Sequence, residues 1–117
     1  MRYLLVHYVD EKQPGAFQPA PEVFVRMGEF MEEMTKAGVL LAAEGVLPSA
    51  AGALIRYTDD KRTVTDGPFT EAKEVIAGFA ILEVPSKEVA IEWADRFAAV
   101  IGDCKVEVRQ IAKAPPA

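Results

Sequence analysis

Two features hold most of the chemistry this sequence could perform: a lone histidine, His7, and the run Asp66-Gly67-Pro68-Phe69. His7 is the only side chain type here whose unperturbed pKa lies near neutrality, which makes it the candidate general acid or base. Such a role needs a carboxylate or reacting group within hydrogen-bond reach. Asp66 and Glu44 are the candidate partners, so Asp66 and His7 form the candidate catalytic pair. His7 also lies between Val6 and Tyr8 in an apolar run. A histidine in that setting serves equally well as a core or interface residue.

Two readings fit the Asp66 run. An aspartate can accept a main-chain N–H a few residues on and fix an Asx-type turn. A glycine before proline is biased to extended or glycine-only geometry. Pro68 then stiffens the chain and Phe69 can enter the core. This turn accounts for every residue type in the run. The alternative puts the Asp66 carboxylate at the mouth of a cleft between a sheet and the loop. Arg56 and Lys73 could then hold an anionic ligand group, though each could also pair with a nearby carboxylate. Glu44 follows Leu40-Leu41-Ala42-Ala43. A carboxylate in such a strand is either solvated or buried with a partner and a shifted pKa. Arg56, Lys73 and Glu44 are therefore the candidate ligand-binding residues.

Several chemistries are set aside. Cys104 is the only cysteine, so no intrachain disulfide forms. One Cys and one His cannot build a zinc site between them. No catalytic triad, phosphate loop or metal-ligand spacing is present, and Gly28 and Gly38 are isolated. No metal or cofactor is expected. The net charge of −5 argues against nucleic acid and anionic membranes as partners. Leu4 to Val9 is too short to span a bilayer and lacks the features of a signal peptide. A cytoplasmic location is expected.

The elements that must position these groups follow from hydrophobic pattern. At 117 residues the chain fits one domain. Arg2 to Val9 reads as a strand, apolar on both faces: Tyr3, Leu5 and Val9 on one, Leu4, Val6 and Tyr8 on the other. Asp10 to Ala20 is a loop. From Pro21, the stripe Val23, Phe24, Met27, Phe30, Met31 and Met34 predicts a core-facing helix ending at Gly38. Val39 to Val46 is a second strand. Ala53 to Tyr57 and Arg62 to Thr65 flank a turn and read as a hairpin. Val75 to Val84 is a strand apolar on both faces, and Gly78 within it predicts a bulge or a close backbone approach. Ser86 caps a second helix bearing Val89, Ala90, Trp93, Ala94 and Phe97, and Lys105 to Ile111 is the last strand. The domain is drawn over residues 1–112, with a frayed tail over 113–117.

This order is the α+β, ferredoxin-like split β-α-β arrangement with an inserted β-hairpin. Two helices cover only one face of such a sheet. The remaining apolar face exceeds what a monomer ordinarily leaves in water. Pairing two sheets face to face in a homodimer covers it.

The run Asp66-Gly67-Pro68-Phe69-Thr70-Glu71-Ala72-Lys73-Glu74 closely resembles the DGPFAETKE signature of the DGPF proteins, a branch of the YCII-related family, departing only at Thr70 and Ala72. The likeness continues through Met1-Arg2-Tyr3-Leu4-Leu5, Gly38-Val39-Leu40, Glu44 to Ser49, Ala77-Gly78-Phe79, Ala90 to Ala94 and Val106 to Arg109. The resemblance implies a dimeric α+β barrel and a bacterial source, and it implies little about activity. It brings a suggested His–Asp active site whose histidine lies on the first helix. Here that helix has Arg26, Met27 and Glu29 and no histidine, so the pair is not carried over and His7 is not its positional equivalent. The resemblance also brings an association with alternative sigma factors in some bacteria.

Two functions are carried forward. One is a small-molecule-binding homodimer with its cleft beside the Asp66–Phe69 loop, with acid–base catalysis as an extension. The other is a protein-interaction or regulatory module without catalysis.

Overall fold

In the computed structural model, which describes residues 1–115, Arg2–Val9 forms the strand β1, paired antiparallel on both sides. Pro21–Lys36 is the helix α1, with Pro21 in the first turn, where its missing N–H leaves nothing unsatisfied. The chain leaves α1 through Gly38 at φ 75°, a left-handed conformation that favours glycine. Leu40–Gly45 is β2, Ala53–Thr58 is β3, Lys61–Asp66 is β4 and Val75–Glu83 is β5. Lys87–Ile101 is α2, and its cap is the expected one: the Val89 N–H donates to Ser86 Oγ at 3.2 Å. Lys105–Gln110 is β6, and the Ile111 N–H still donates to the Arg2 carbonyl at 2.8 Å. Of the tail expected over 113–117, residues 116–117 lie outside the described residues.

The main sheet has the order β2-β5-β1-β6, antiparallel throughout, with two helices. This is an α+β domain consistent with the ferredoxin-like arrangement. Strands β3 and β4 form a separate two-stranded sheet.

Strand alternation decides what each face does. Tyr3 and Leu5 of β1 and Leu82 of β5 are buried in one cluster with Phe30 and Met34 of α1 and Ala90 and Ala94 of α2. Both helices therefore lie on this face. Arg96 joins them: its guanidinium pairs with Glu33 and sits 5.3 Å from the Phe30 ring and 4.9 Å from that of Trp93. On the other face, the pairs Leu4↔Ile81, Val6↔Phe79 and Val6↔Glu107 set an apolar strip with a polar edge. There Tyr8 donates to Glu107 at 2.9 Å.

The β3–β4 hairpin is also two-faced. Ile55 stands opposite Val64 and Tyr57 opposite Arg62, while Arg56 faces Thr63 on the other side. Ile55, Tyr57 and Val64 are 43%, 70% and 45% exposed, so much of the apolar face of the hairpin is open to solvent among the described residues.

Candidate ligand-binding site

A cavity of about 1050 Å³ opens between the helix-bearing face of the sheet, α1 and the loop from Asp10 to Ala20. It lies where the first turns of α1 pack loosely, the fully buried residues of the helix being in its C-terminal half. Phe30 and Met34 are buried, Met27 and Met31 are half-buried, and Phe24 is 72% exposed. The stripe expected to be core throughout thus lifts off the sheet towards its N-terminal end. The gap it leaves is walled by Met27, Met31, Phe17, Trp93 and Phe97. Methionine side chains are flexible and polarizable, so such a wall can adapt its shape.

The floor is made by β1 and β5. His7 points from β1 to the same side as Tyr3 and Leu5, and pairs in register with Gly78. A bulge follows at once, because Tyr8 pairs with Ile76. Gly78 also permits the approach of β2: a Cβ there would stand 2.9 Å from the Glu44 carbonyl oxygen. Both expectations for this glycine, a bulge and a close approach, are met. As a result the floor beside the imidazole is bare backbone.

His7 is half-buried, with its ring edge-to-face against Phe97 at 5.1 Å and 73°. Burial pushes its pKa below the ordinary 6.5, so the ring is neutral at pH 7. A neutral imidazole has one donor and one acceptor nitrogen. No hydrogen bond to the His7 ring is present among the described residues, and no buried side-chain polar atom among them lacks a partner, so the unpaired ring nitrogens are not sealed from solvent.

At the edge of the cavity, on the helix-free side of the sheet, Lys105 stands opposite Tyr8, pairs with Glu74 at 2.7 Å and lies 5.0 Å from the Tyr8 ring centre. The hydrogen bond to Glu74 is the main reason its pKa is raised. Cys104 is exposed at the same rim. Desolvation, helped by the Asp103 charge, pushes its thiol up, which keeps it protonated and a poor nucleophile.

A smaller cavity of about 480 Å³ lies on the other side of the Gly15–Gln18 segment, beside Pro48, Pro68, Phe69 and Thr70. Here a polar connection ties three segments together. Ser49 is buried, and its hydroxyl bonds to the Glu11 carboxylate. Its main-chain N–H donates to the same carboxylate at 3.1 Å. The Phe69 N–H donates to Ser49 Oγ at 2.9 Å. The Gly67 N–H donates to the Gly52 carbonyl at 2.9 Å. Gly67 is required here for lack of space: a Cβ would come within 1.6 Å of the Ser49 carbonyl oxygen.

The predicted site residues fall in different places. His7 and Glu44 contribute to the wall of the larger cavity. Glu44 pairs in register with Phe79, which puts its side chain on the helix-free face and leaves its main chain to the cavity. His7 and Glu44 therefore stand on opposite faces of the sheet. Asp66, at the end of β4, is exposed and lines neither cavity, and the same is true of Arg56 in β3 and of Lys73. The turn that Asp66 was expected to hold is held instead by Ser49. Glu74, and not Lys73, makes the ion pair of this loop.

Glu11 and Ser49 escaped the sequence reading because each looks like an ordinary loop residue. The contact between them spans 38 positions. The one available signal was Ser49 beside Pro48 in an otherwise apolar turn.

Residues 1–114 match the YCII-related domain. The chain is also 29% identical over 96 residues to uncharacterized protein R00369 of Rhizobium meliloti (strain 1021), an alignment covering 80% of this chain and 77% of that protein.

Proposed function

The chain belongs to the YCII-related family, and we propose that within it this protein is a small-molecule-binding homodimer of the DGPF branch whose ligand lies in the cavity between β1, β5 and α1. The observation that carries this reading is the cavity itself, large enough for a small organic ligand, mostly apolar, and with one uncommitted polar ring in its wall. The Asp66–Phe69 loop takes part indirectly. It seats Ser49, which holds Glu11, and Glu11 begins the loop that walls the cavity. His7 is the group in the wall with acid–base capacity near neutrality, so any proton transfer in this cavity falls to it.

The homodimer reading rests on two apolar surfaces that no helix covers: the helix-free face of the main sheet, where Leu4, Phe79 and Ile81 are half-buried, and the exposed Ile55, Tyr57 and Val64 face of the hairpin. A second copy supplies a surface of matching character and closes the assembly.

The test is a thermal-shift screen of chemically diverse small molecules, since a ligand bound only by the folded state raises its apparent stability. Compounds that raise Tm in the wild type and not in Val23→Trp, which fills the cavity from α1, support the reading. A screen in which nothing shifts Tm, or in which Val23→Trp responds like wild type, rejects it. Sedimentation at micromolar concentration tests the dimer separately.

A further inference from the structure

We infer that the cavity takes a neutral hydroxylated aromatic molecule, seated on its aromatic and methionine walls with the hydroxyl on the His7 ring. This rests on the ligand-binding reading above and names the class of ligand.

Three observations converge on it. First, the shape and lining suit flat rings. The wall offers aromatic rings from Phe17, Trp93 and Phe97 together with the flexible Met27 and Met31.

Second, the charges at the rim refuse an anion. The acidic residues of the cavity lining are Asp10, Glu44, Glu74 and Asp103, while Lys105, its basic residue, stands opposite Tyr8 on the helix-free side and is already engaged by Glu74 at 2.7 Å. An anionic head would meet acidic neighbours and an occupied cation, and would lose its hydration as well. A carboxylate or phosphate is therefore the wrong polar group for this site.

Third, the polar contact on offer is a neutral imidazole without a hydrogen-bond partner among the described residues. Its ring is held edge-to-face by Phe97 at 5.1 Å, so its direction is set before any ligand arrives. Its acceptor nitrogen can take the proton of a ligand hydroxyl in a hydrogen bond, and its donor can meet a ligand oxygen. A hydroxyl on an aromatic ring satisfies this contact while the ring itself fills the apolar space. A purely apolar ligand would leave the imidazole nitrogens facing it unpaired, which costs binding energy.

The experiment is an amide chemical-shift titration of the full chain with four probes of one ring size: 2-naphthol, 2-methoxynaphthalene, naphthalene and 2-naphthoate. The expected result is that 2-naphthol binds about tenfold more tightly than each of the others, the gain of one well-placed hydrogen bond, with shifts at Gly78, Gly45 and Phe97. In His7→Phe, which keeps a ring against Phe97, that advantage over naphthalene should vanish. His7→Gln, which restores a hydrogen-bonding group, should recover part of it. Should His7→Phe fail to fold, the ranking of the four probes on the wild type decides alone. If 2-naphthoate binds best, or naphthalene and the methyl ether match 2-naphthol, the ligand class is wrong while the cavity reading survives. If none of the four moves the cavity amides, the aromatic ligand class is wrong, and the cavity reading is decided by the thermal-shift screen.

Discussion

The main-chain N–H of Phe69 donates to the side-chain hydroxyl of Ser49 across 2.9 Å, linking the loop after β4 to the turn after β2. Ser49 is 7% exposed and its hydroxyl is also bonded to Glu11. A buried polar group of this kind is stabilising only while all its partners are present. In Ser49→Ala the Phe69 N–H loses its acceptor and the Glu11 carboxylate loses a donor. We expect a loss of about 1–3 kcal/mol, read from urea unfolding. Glu11→Gln, which can still bond to the hydroxyl, should cost less. A Ser49→Ala protein as stable as wild type would remove this link from any account of the fold.

The glycines offer a paired comparison. Gly67→Ala places a Cβ 1.6 Å from the Ser49 carbonyl oxygen, so backbone must move, and the cost should be on the order of 3 kcal/mol or more. Gly28→Ala lies in exposed helix with nothing within 4 Å of the added carbon, and it should stabilise by about 1 kcal/mol. Opposite shifts of the unfolding midpoint are the expected outcome.

His7 should titrate below 6.5, because burial disfavours its charged form. As the only histidine it can be followed by NMR without assignment ambiguity. Between the folded and unfolded pKa values the unfolded chain binds more protons, so stability rises with pH in that interval. The contribution is fully present above the unfolded value and is lost as pH falls through the folded one. Comparing the pH dependence of Tm in wild type and His7→Phe isolates it. A folded-state pKa at or above 6.5 would contradict the burial of the ring.

Ile55→Asp puts a charge in the middle of the apolar hairpin face, opposite Val64. The prediction is a shift from dimer to monomer in sedimentation velocity, with an unchanged far-ultraviolet CD spectrum. Arg56→Asp, on the opposite face of the same strand, should leave the association state as it was. Equal behaviour of the two variants would separate the hairpin from self-association.

Much of the fold was readable from local pattern. The apolar runs that make β1 and β5, the Ser86 cap and the Gly38 exit all depend on residues a few positions apart, and these elements appear as expected. The α1 stripe shows the limit of such reading. Its spacing correctly places Phe30 and Met34 in the core, but spacing alone does not say where along its length a helix touches a sheet. That is set by tertiary contacts between segments far apart in the sequence, which local pattern does not carry. The site residues divide in the same way. His7 was found because its type is rare. Asp66 drew notice for its striking company with Gly67 and Pro68, yet Gly67 is there to clear the Ser49 carbonyl, a contact between segments far apart in the sequence.

The separate two-stranded sheet has a final consequence. A hairpin with no third strand and no core beneath it is only marginally stable in water, and every residue of β3 and β4 is exposed in the single chain. If association covers its apolar face, ordering of the hairpin and self-association become reciprocally linked. Dilution would then speed amide hydrogen exchange in residues 53–66 while leaving β1 and β5 protected. Conversely, a substitution that merely stiffens the turn at Asp59-Asp60, both at positive φ, would tighten association without adding a single intermolecular contact.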